Sequence, residues 1–303
     1  MESTRITCPQ AAATVILLGV AVFGTCPATL EAQNPPPIRI GMTSAFFVDQ
    51  TQGVVKIATN DFKEVLKQTT GLRGELTSKD DVFAVVQKLQ NKALDFGIVH
   101  AHEFAWVRKK HPDLHPLLIA ANKRHEERVY LIVRKSLGAK SIDDLRGKKL
   151  DVPRGANEPC RVFLTKICAA AAQKPPVGFF GSIVKSESLI DGLDQTARGK
   201  TDATVVDTAT LEFYKEVKSA VFAKNLVVLR ESEVFPPAVI LYRAGGVDSK
   251  ILARFRNGLL KAHETEMGRD MMKEWNIDAF APIPKDFDDR LTAILKAYPS
   301  PKN

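Results

Sequence analysis

Three short stretches of the chain carry side chains whose types and spacing suit chemistry. His100-Ala101-His102-Glu103 sets two imidazoles two residues apart beside a carboxyl. At a strand end this spacing puts both rings on one face, a geometry that holds zinc or hydrogen-bonds a ligand. A metal needs a further donor, for which Glu103, His125 and Asp207 are the candidates. The reading adopted is a hydrogen-bonding pair, with no metal and no cofactor. Asn157-Glu158-Pro159 has the composition of a helix start, an amide cap followed by an acid and a proline. Free N–H groups at such a start attract anions. Glu158 already complements the helix dipole, which suits a ligand bearing an amine. Arg154 either makes a bidentate contact to an anion or is a solvated loop residue. Phe46-Phe47 offers aromatic surface, to stack on a ligand or to fill a core.

Catalytic signatures are missing from the sequence. It holds no Gly-x-Ser-x-Gly elbow, no His-Glu-x-x-His, no phosphate loop and no Gly-x-Gly-x-x-Gly. The residues that remain are those of a binder rather than an enzyme.

The elements that position them alternate. Residues 38–42 read as a strand and 53–70 as a helix with apolar residues at the helical period, closed by Gly71. Strands at 75–77, 95–99 and 114–121 and helices at 80–92 and 103–110 complete a first α/β series. A charged break at 122–128 follows. The second series has strands at 129–133, 149–152, 177–184, 203–206 and 226–229. Its helices are at 159–172, 186–198 and 209–216, and Ser141-Ile142-Asp143-Asp144-Leu145 fits a capping box. After a strand at 238–242 only helices are expected, at 249–266, 268–274 and 286–297. This order predicts an α/β fold of two lobes, each a mainly parallel sheet flanked by helices and joined by a two-strand hinge. Lobe one is 38–125 plus 240–303, lobe two is 129–235, and the hinge lies near 124–129 and 235–239. In open parallel sheets ligands sit beyond the carboxyl ends of the strands. That rule selects Thr43, Ser44, Phe46, Phe47, His100 and His102 from the first lobe, and Asn157, Glu158, Ser182 and Asp207 from the second.

Residues 1–32 read as a secretory signal: a polar start, an apolar run at 11–23 and a small residue, Ala32, for cleavage. An N-terminal membrane anchor is the alternative. Cys8 and Cys26 lie in that segment. Cys160 and Cys168 sit on one helix, about 12 Å apart along its axis, too far for a disulfide, so two buried thiols are expected.

The 303 residues are 45% hydrophobic and 26% charged, which excludes a disordered or collagenous chain. The net charge of +8 invites a nucleic-acid reading. No helix carries a basic stripe with interleaved aromatics, so nucleic acid is not an expected partner.

The order of features resembles a type II periplasmic solute-binding protein of an ABC importer. The resemblance rests on Ile38-Arg39-Ile40-Gly41-Met42, Ala93-Leu94-Asp95-Phe96-Gly97, Ser141-Ile142-Asp143-Asp144-Leu145-Arg146-Gly147-Lys148 and Gly199-Lys200-Thr201-Asp202-Ala203. Within that superfamily the chain is most similar to the phosphate/phosphite/phosphonate-binding group. The resemblance implies a periplasmic, monomeric protein that captures a small polar or anionic solute for a membrane permease. Sensing the solute for a membrane receptor, or catalysis on the same two-lobed fold, are the alternatives. It also implies that Asp207 matches the acid that meets amine-bearing ligands. The group has a Ser-Thr-Ser-Gly turn for phosphonate oxygens; Gly155-Ala156-Asn157-Glu158-Pro159 stands there in this chain. Its Gly-Ser-His turn is here Gly181-Ser182-Ile183, and the stretch after the third strand has His100 to Phe104 in place of a tyrosine.

Overall fold

The computed structural model describes residues 36–122 and 126–301. In chain order it runs β1 (Ile38–Thr43), α1 (Gln52–Thr70), β2 (Gly74–Asp80), α2 (Val82–Gln90), β3 (Phe96–Val99), α3 (Ala101–Val107) and β4 (Leu114–Ala121). A second series follows: β5 (Val129–Arg134), β6 (Lys149–Asp151), α4 (Glu158–Ala172), α5 (Pro176–Phe179), β7 (Ser182–Val184), α6 (Leu189–Ala197), β8 (Ala203–Asp207), α7 (Thr208–Val217), α8 (Ser219–Asn225) and β9 (Leu226–Glu231). The chain ends with β10 (Val239–Arg243), α9 (Ser249–Leu260), α10 (Glu266–Glu274), β11 (Ala279–Ala281) and α11 (Phe287–Ala297).

These strands form two sheets, ordered β11-β4-β10-β3-β1-β2 and β7-β6-β8-β5-β9. Both are mixed. β1 pairs in parallel with β2 and β3, but β10 runs antiparallel between β3 and β4. In the second sheet β6, β7 and β8 are parallel, and β5 is antiparallel to both β8 and β9. Two of the antiparallel strands, β5 and β10, are the ones the chain enters directly after crossing between sheets; the third, β11, is a short edge strand antiparallel to β4.

Local chemistry sets the elements. α1 starts where the Thr51 hydroxyl accepts from Val54 N–H, and it ends at Gly71, whose φ of 65° is left-handed. The predicted capping box at Ser141 is present, with Asp144 Oδ2 accepting from Ser141 N–H at 2.9 Å; it opens a single 3-10 turn. Cys160 and Cys168 are buried free thiols, as their spacing predicts. The sequence reading fails in several places: it has no counterpart of α8, and the helix expected at 249–266 ends at Leu260. Ala279–Ala281 is an edge strand, too short for any periodicity to show. The expected strand at 177–184 begins instead as the helical turn α5, because prolines 175 and 176 favour a helix start.

The first sheet buries Phe62, Phe96 and Phe255, with the last two stacked at 3.9 Å. A separate apolar cluster runs through both sheets. It joins Val99, Phe104 and Phe287 to Leu131, Phe163 and Val205, with Phe235 and Tyr298 between them, their rings 4.9 Å apart. The chain passes from the first sheet to the second between β4 and β5, and back at 232–238. There Glu127 and Phe235 form an isolated antiparallel bridge, Phe235 N–H donating to Glu127 C=O at 2.8 Å.

Truncating Phe96 removes the stacked pair from a fully buried site. Phe96→Ala should lower unfolding stability by about 3–5 kcal/mol, read from the urea midpoint at unchanged m-value.

Candidate functional site

β1 delivers Thr43 to a fully buried position, and a 3-10 turn at Ser44–Phe47 follows. β3 ends at Val99, so His100 becomes the N-cap of α3. One carboxylate ties these ends together. Glu103 Oε2 accepts from Thr43 Oγ1 and from His100 N–H, each at 2.9 Å. Phe46 lies on the His100 ring at 4.0 Å, and His100 in turn stacks near His102 at 5.3 Å. His102 is only 2% exposed and stands edge-on to Trp106 and to Phe235 of the second crossing. The Nε2 atoms of both histidines are buried and without a hydrogen-bond partner. Burial holds His100 down at about 4 and His102 well below its ordinary value, so both rings are neutral at physiological pH.

The second sheet contributes helix starts. Asn157 caps α4, its Oδ1 accepting from Cys160 N–H at 3.2 Å while its Nδ2 donates to Glu127 Oε1 at 2.9 Å. Asp207 caps α7 through Thr210 N–H at 2.8 Å. Glu158 follows Asn157, and its charge acts on Glu103 from the other sheet. Asp207 acts in the same way on Glu127. Burial, reinforced by these like charges, pushes Glu103 and Glu127 up to about 7. Burial alone does so for Glu158, against the pull of Arg161.

Nine of the ten residues selected from the sequence follow the end of a strand or cap a helix there: Thr43, Ser44, Phe46, Phe47, His100, His102, Asn157, Glu158 and Asp207. Ser182 does not. It opens β7 and pairs in register with Lys149 at the start of β6, so it lies at the amino ends of these parallel strands. The misplacement follows from the turn α5, which delays β7 and moves its carboxyl end to Val184. Phe46 and Phe47 pack against the core of the first sheet, the second of the two roles open to them. Arg154 is exposed and 3.7 Å from Glu187, the solvated alternative. His125 lies outside the described residues, as do the leader at 1–32 and part of the first hinge segment.

Sequence reasoning missed four contributors. Glu127 sits in a charged break that reads as surface. Asp49, with a left-handed φ of 62°, binds Arg161 of α4 and Lys185 after β7, the latter at 2.6 Å. These three bridge the two sheets at the rim. The hydrogen bond from Lys185 leads in keeping Asp49 below the usual carboxylate range. A lone Asp after two phenylalanines carries no signal of this, because its partners lie more than a hundred residues away. Among the described residues no group of three or more His, Cys, Asp or Glu is arranged to hold a metal, and no helix is long and apolar enough to cross a membrane.

The family described as "ABC transporter, phosphonate, periplasmic substrate-binding protein" matches residues 45–287. The chain belongs to this family. Its members are solute-binding proteins for import, and the chain is therefore an extracytoplasmic partner of a small molecule and a membrane permease. No curated protein matches the chain. The fold is similar to a binding-protein component of an ABC phosphonate transporter from Pseudomonas aeruginosa, at TM-score 0.57 and 14% identity over 86% of this chain and 85% of that one. PhnD1 from Prochlorococcus marinus, solved with methylphosphonate, gives TM-score 0.57 and 14% identity over 87% and 98%. A Xanthomonas citri protein solved with ATP gives 0.57 and 15% over 86% and 96%. These likenesses establish the two-lobed fold.

The raised carboxyls give this binding protein a pH signature. A carboxyl near 7 in the folded state and near about 4.3 in the unfolded chain makes the fold bind more protons in that interval. Its stability is full below the lower value and falls as pH rises through about 7. The unliganded protein should lose on the order of 5 °C in Tm between about pH 5 and about pH 8. Glu103→Gln should shrink that loss in a calorimetric melt.

Proposed function

We propose that residues 38–125 with 240–303 form one lobe, that 129–235 form the other, and that the segments near 124–129 and 235–239 are the hinge between them. The solute is held where the lobes face each other, by Ser44, Phe46, His100 and Glu103 on one side and Asn157, Glu158 and Asp207 on the other. The observation that carries this reading is that Asp49, beyond the end of β1, is bound by Arg161 and Lys185 of the second sheet's elements, while the charge of Glu158 reaches Glu103 from the same side. Buried polar groups from two lobes converge there with imidazole nitrogens that lack partners. The protein acts as a non-catalytic monomer, exported by residues 1–32 and without a nucleic-acid partner.

Closure follows from contact made on both sides. A solute touching both lobes stabilises the closed form by its differential affinity for that form. Asp49, joined to Arg161 and Lys185, draws the rims together as the lobes close. The histidines stay neutral over the physiological range, so the first lobe presents uncharged ring nitrogens without partners as well as the Ser44 hydroxyl.

A thermal-shift screen tests the site. Phosphate, phosphite, methylphosphonate, amino acids and small amines are each added to the purified protein. At a concentration of about 100 times Kd a binder adds about 2.7 kcal/mol of stability. His100→Ala and Asp207→Ala should each remove most of the shift given by whichever compound binds. An unchanged shift in both variants places the solute elsewhere.

The rim pairs give a second measurement. Asp49→Ala should expand the unliganded protein in small-angle scattering while costing no more than about 1 kcal/mol of unfolding stability, since the pairs are partly exposed. An unchanged radius of gyration removes the rim from the closure step.

A further inference from the structure

We infer that Arg161 holds the solute directly: its Nε–H donates to an oxyanion of the solute inside the cleft, while its Nη2 keeps the tie to Asp49 at the rim. The inference rests on the cleft reading above and adds a recognising residue to it.

Among the described residues, five buried side-chain atoms have no hydrogen-bond partner: His100 Nε2, His102 Nε2, Asp151 Oδ2, Arg161 Nε and Thr204 Oγ1. Asp151 and Thr204 are register neighbours inside the second sheet. Arg161 instead stands between the sheets, since it reaches from α4 to Asp49 beyond β1. Its Nε is also the one atom of the five on a permanently protonated group, and it can only donate. Leaving a buried donor of a charged group unmet is costly. A guanidinium does not escape that cost by giving up its proton.

The vacancy at Nε has a cause in the neighbouring charges. A guanidinium offers Nε–H and one Nη–H along a single edge, spaced to take the two oxygens of one acid group. Arg39 shows the complete form, with Nε and Nη2 on the two oxygens of Asp95 at 3.1 and 2.7 Å. Arg134 likewise spends both atoms on Asp202, at 3.0 and 2.7 Å. At Arg161 the edge is split. Asp49 Oδ2 accepts from Nη2, but Asp49 Oδ1 accepts from Lys185 Nζ at 2.6 Å. Lys185 thus draws away the oxygen that would have met Nε. Glu158, one turn back on the same helix, stands 4.0 Å from Nε, beyond hydrogen-bond range.

An oxygen that carries negative charge completes this edge. It brings an acceptor and a countercharge together, which is the strong form of such a bond. The position suits a solute, because Arg161 lies in the first turn of α4 beside Asn157 and Glu158, which the cleft reading already assigns to contact. Nε is closed off from solvent between that turn and the other lobe, so its partner has to be seated while the lobes are apart. The same guanidinium then touches the solute on one side and the rim acid on the other. Seating the oxyanion orients the group that Asp49 needs, and this links recognition to closure.

Titration calorimetry on the purified protein tests the assignment, with methylphosphonate, phosphite and inorganic phosphate as probes. Arg161→Lys keeps a positive charge within reach of Asp49 but has no Nε–H. Arg161→Lys and Arg161→Ala should each weaken the tightest of the three anions by about tenfold or more. Asp49→Ala removes the rim tie and leaves Nε in place, so it should weaken that anion by no more than about fivefold. In a proton–nitrogen correlation spectrum of the isotope-labelled protein, the arginine Nε–H signal that Arg161→Lys removes should shift when the anion is added. A tenfold loss in the lysine variant together with a shifted signal supports the inference. A loss below tenfold, or no greater than that of Asp49→Ala, makes Arg161 a rim residue only and overturns it. A signal indifferent to the anion overturns it too, since Nε then meets water alone. If none of the three anions binds, the inference also falls. The amino acids and amines of the thermal-shift screen then decide the cleft separately: a compound whose shift is lost in His100→Ala and Asp207→Ala leaves it standing, and the lack of any binder removes it as well.

Discussion

The double crossing of the chain, pinned where Phe235 N–H meets the Glu127 carbonyl, is the constraint on which the remaining geometry depends. It sends β10 back into the first sheet between β3 and β4, and this makes that sheet mixed. It also fixes which strand ends face each other. β1 and β3 present Thr43 and His100, while β6 and β8 lead to Asn157 and Asp207. Because Phe235 packs on both His102 and Tyr298, the crossing is also an apolar joint, continuous with the core on either side. A joint of this kind permits rotation about two short segments while the sheets stay rigid.

Burying carboxyls at that joint costs free energy unless they are bonded or neutralised. The chain does both in part. Glu103 is stabilised by two donors, and Asn157 donates to Glu127, yet all three glutamates remain near neutrality in their ionisation. Such an arrangement is poorly explained by stability alone. An apolar side chain at Glu158, next to a cap that Asn157 already supplies, would avoid the desolvation. Retaining acids where burial opposes them is what a site for a charged partner requires.

How much of this was legible in the sequence varies with the range of the interaction. The strand–helix alternation and the caps at Ser141 and Asn157 are local, and local spacing revealed them. Cys160 and Cys168 are likewise separated by helix geometry that simple arithmetic captures. The family resemblance, built on runs such as Ser141 to Lys148, reached the right fold. Ser182 was misassigned because a two-proline turn shifted the strand by a few residues, and β11 is too short to show a period. Asp49, Glu127 and Phe235 were invisible for a different reason. Their roles exist only once distant segments meet, and nothing in their immediate neighbours signals those partners.

The rim and the interior of the cleft use charge in opposite ways, and the contrast bears on how the clamp works. At the rim, Asp49 is fully balanced by Arg161 and Lys185, in pairs that solvent still reaches. Such pairs are worth at most about 1 kcal/mol each, so they bias the empty clamp toward closure only weakly. In the interior Glu103 and Glu127 are bonded to neutral donors rather than to cations, Glu158 has Arg161 only at 4.0 Å, and the Nε2 atoms of His100 and His102 have no partner. Closing without a solute buries that imbalance, so the empty clamp gains little from closure beyond its rim. A solute that supplies the missing partners removes the penalty and makes contact with both lobes at once. The closing energy therefore resides in the solute rather than in the chain, which is the condition for a binding protein whose shape reports whether it is loaded.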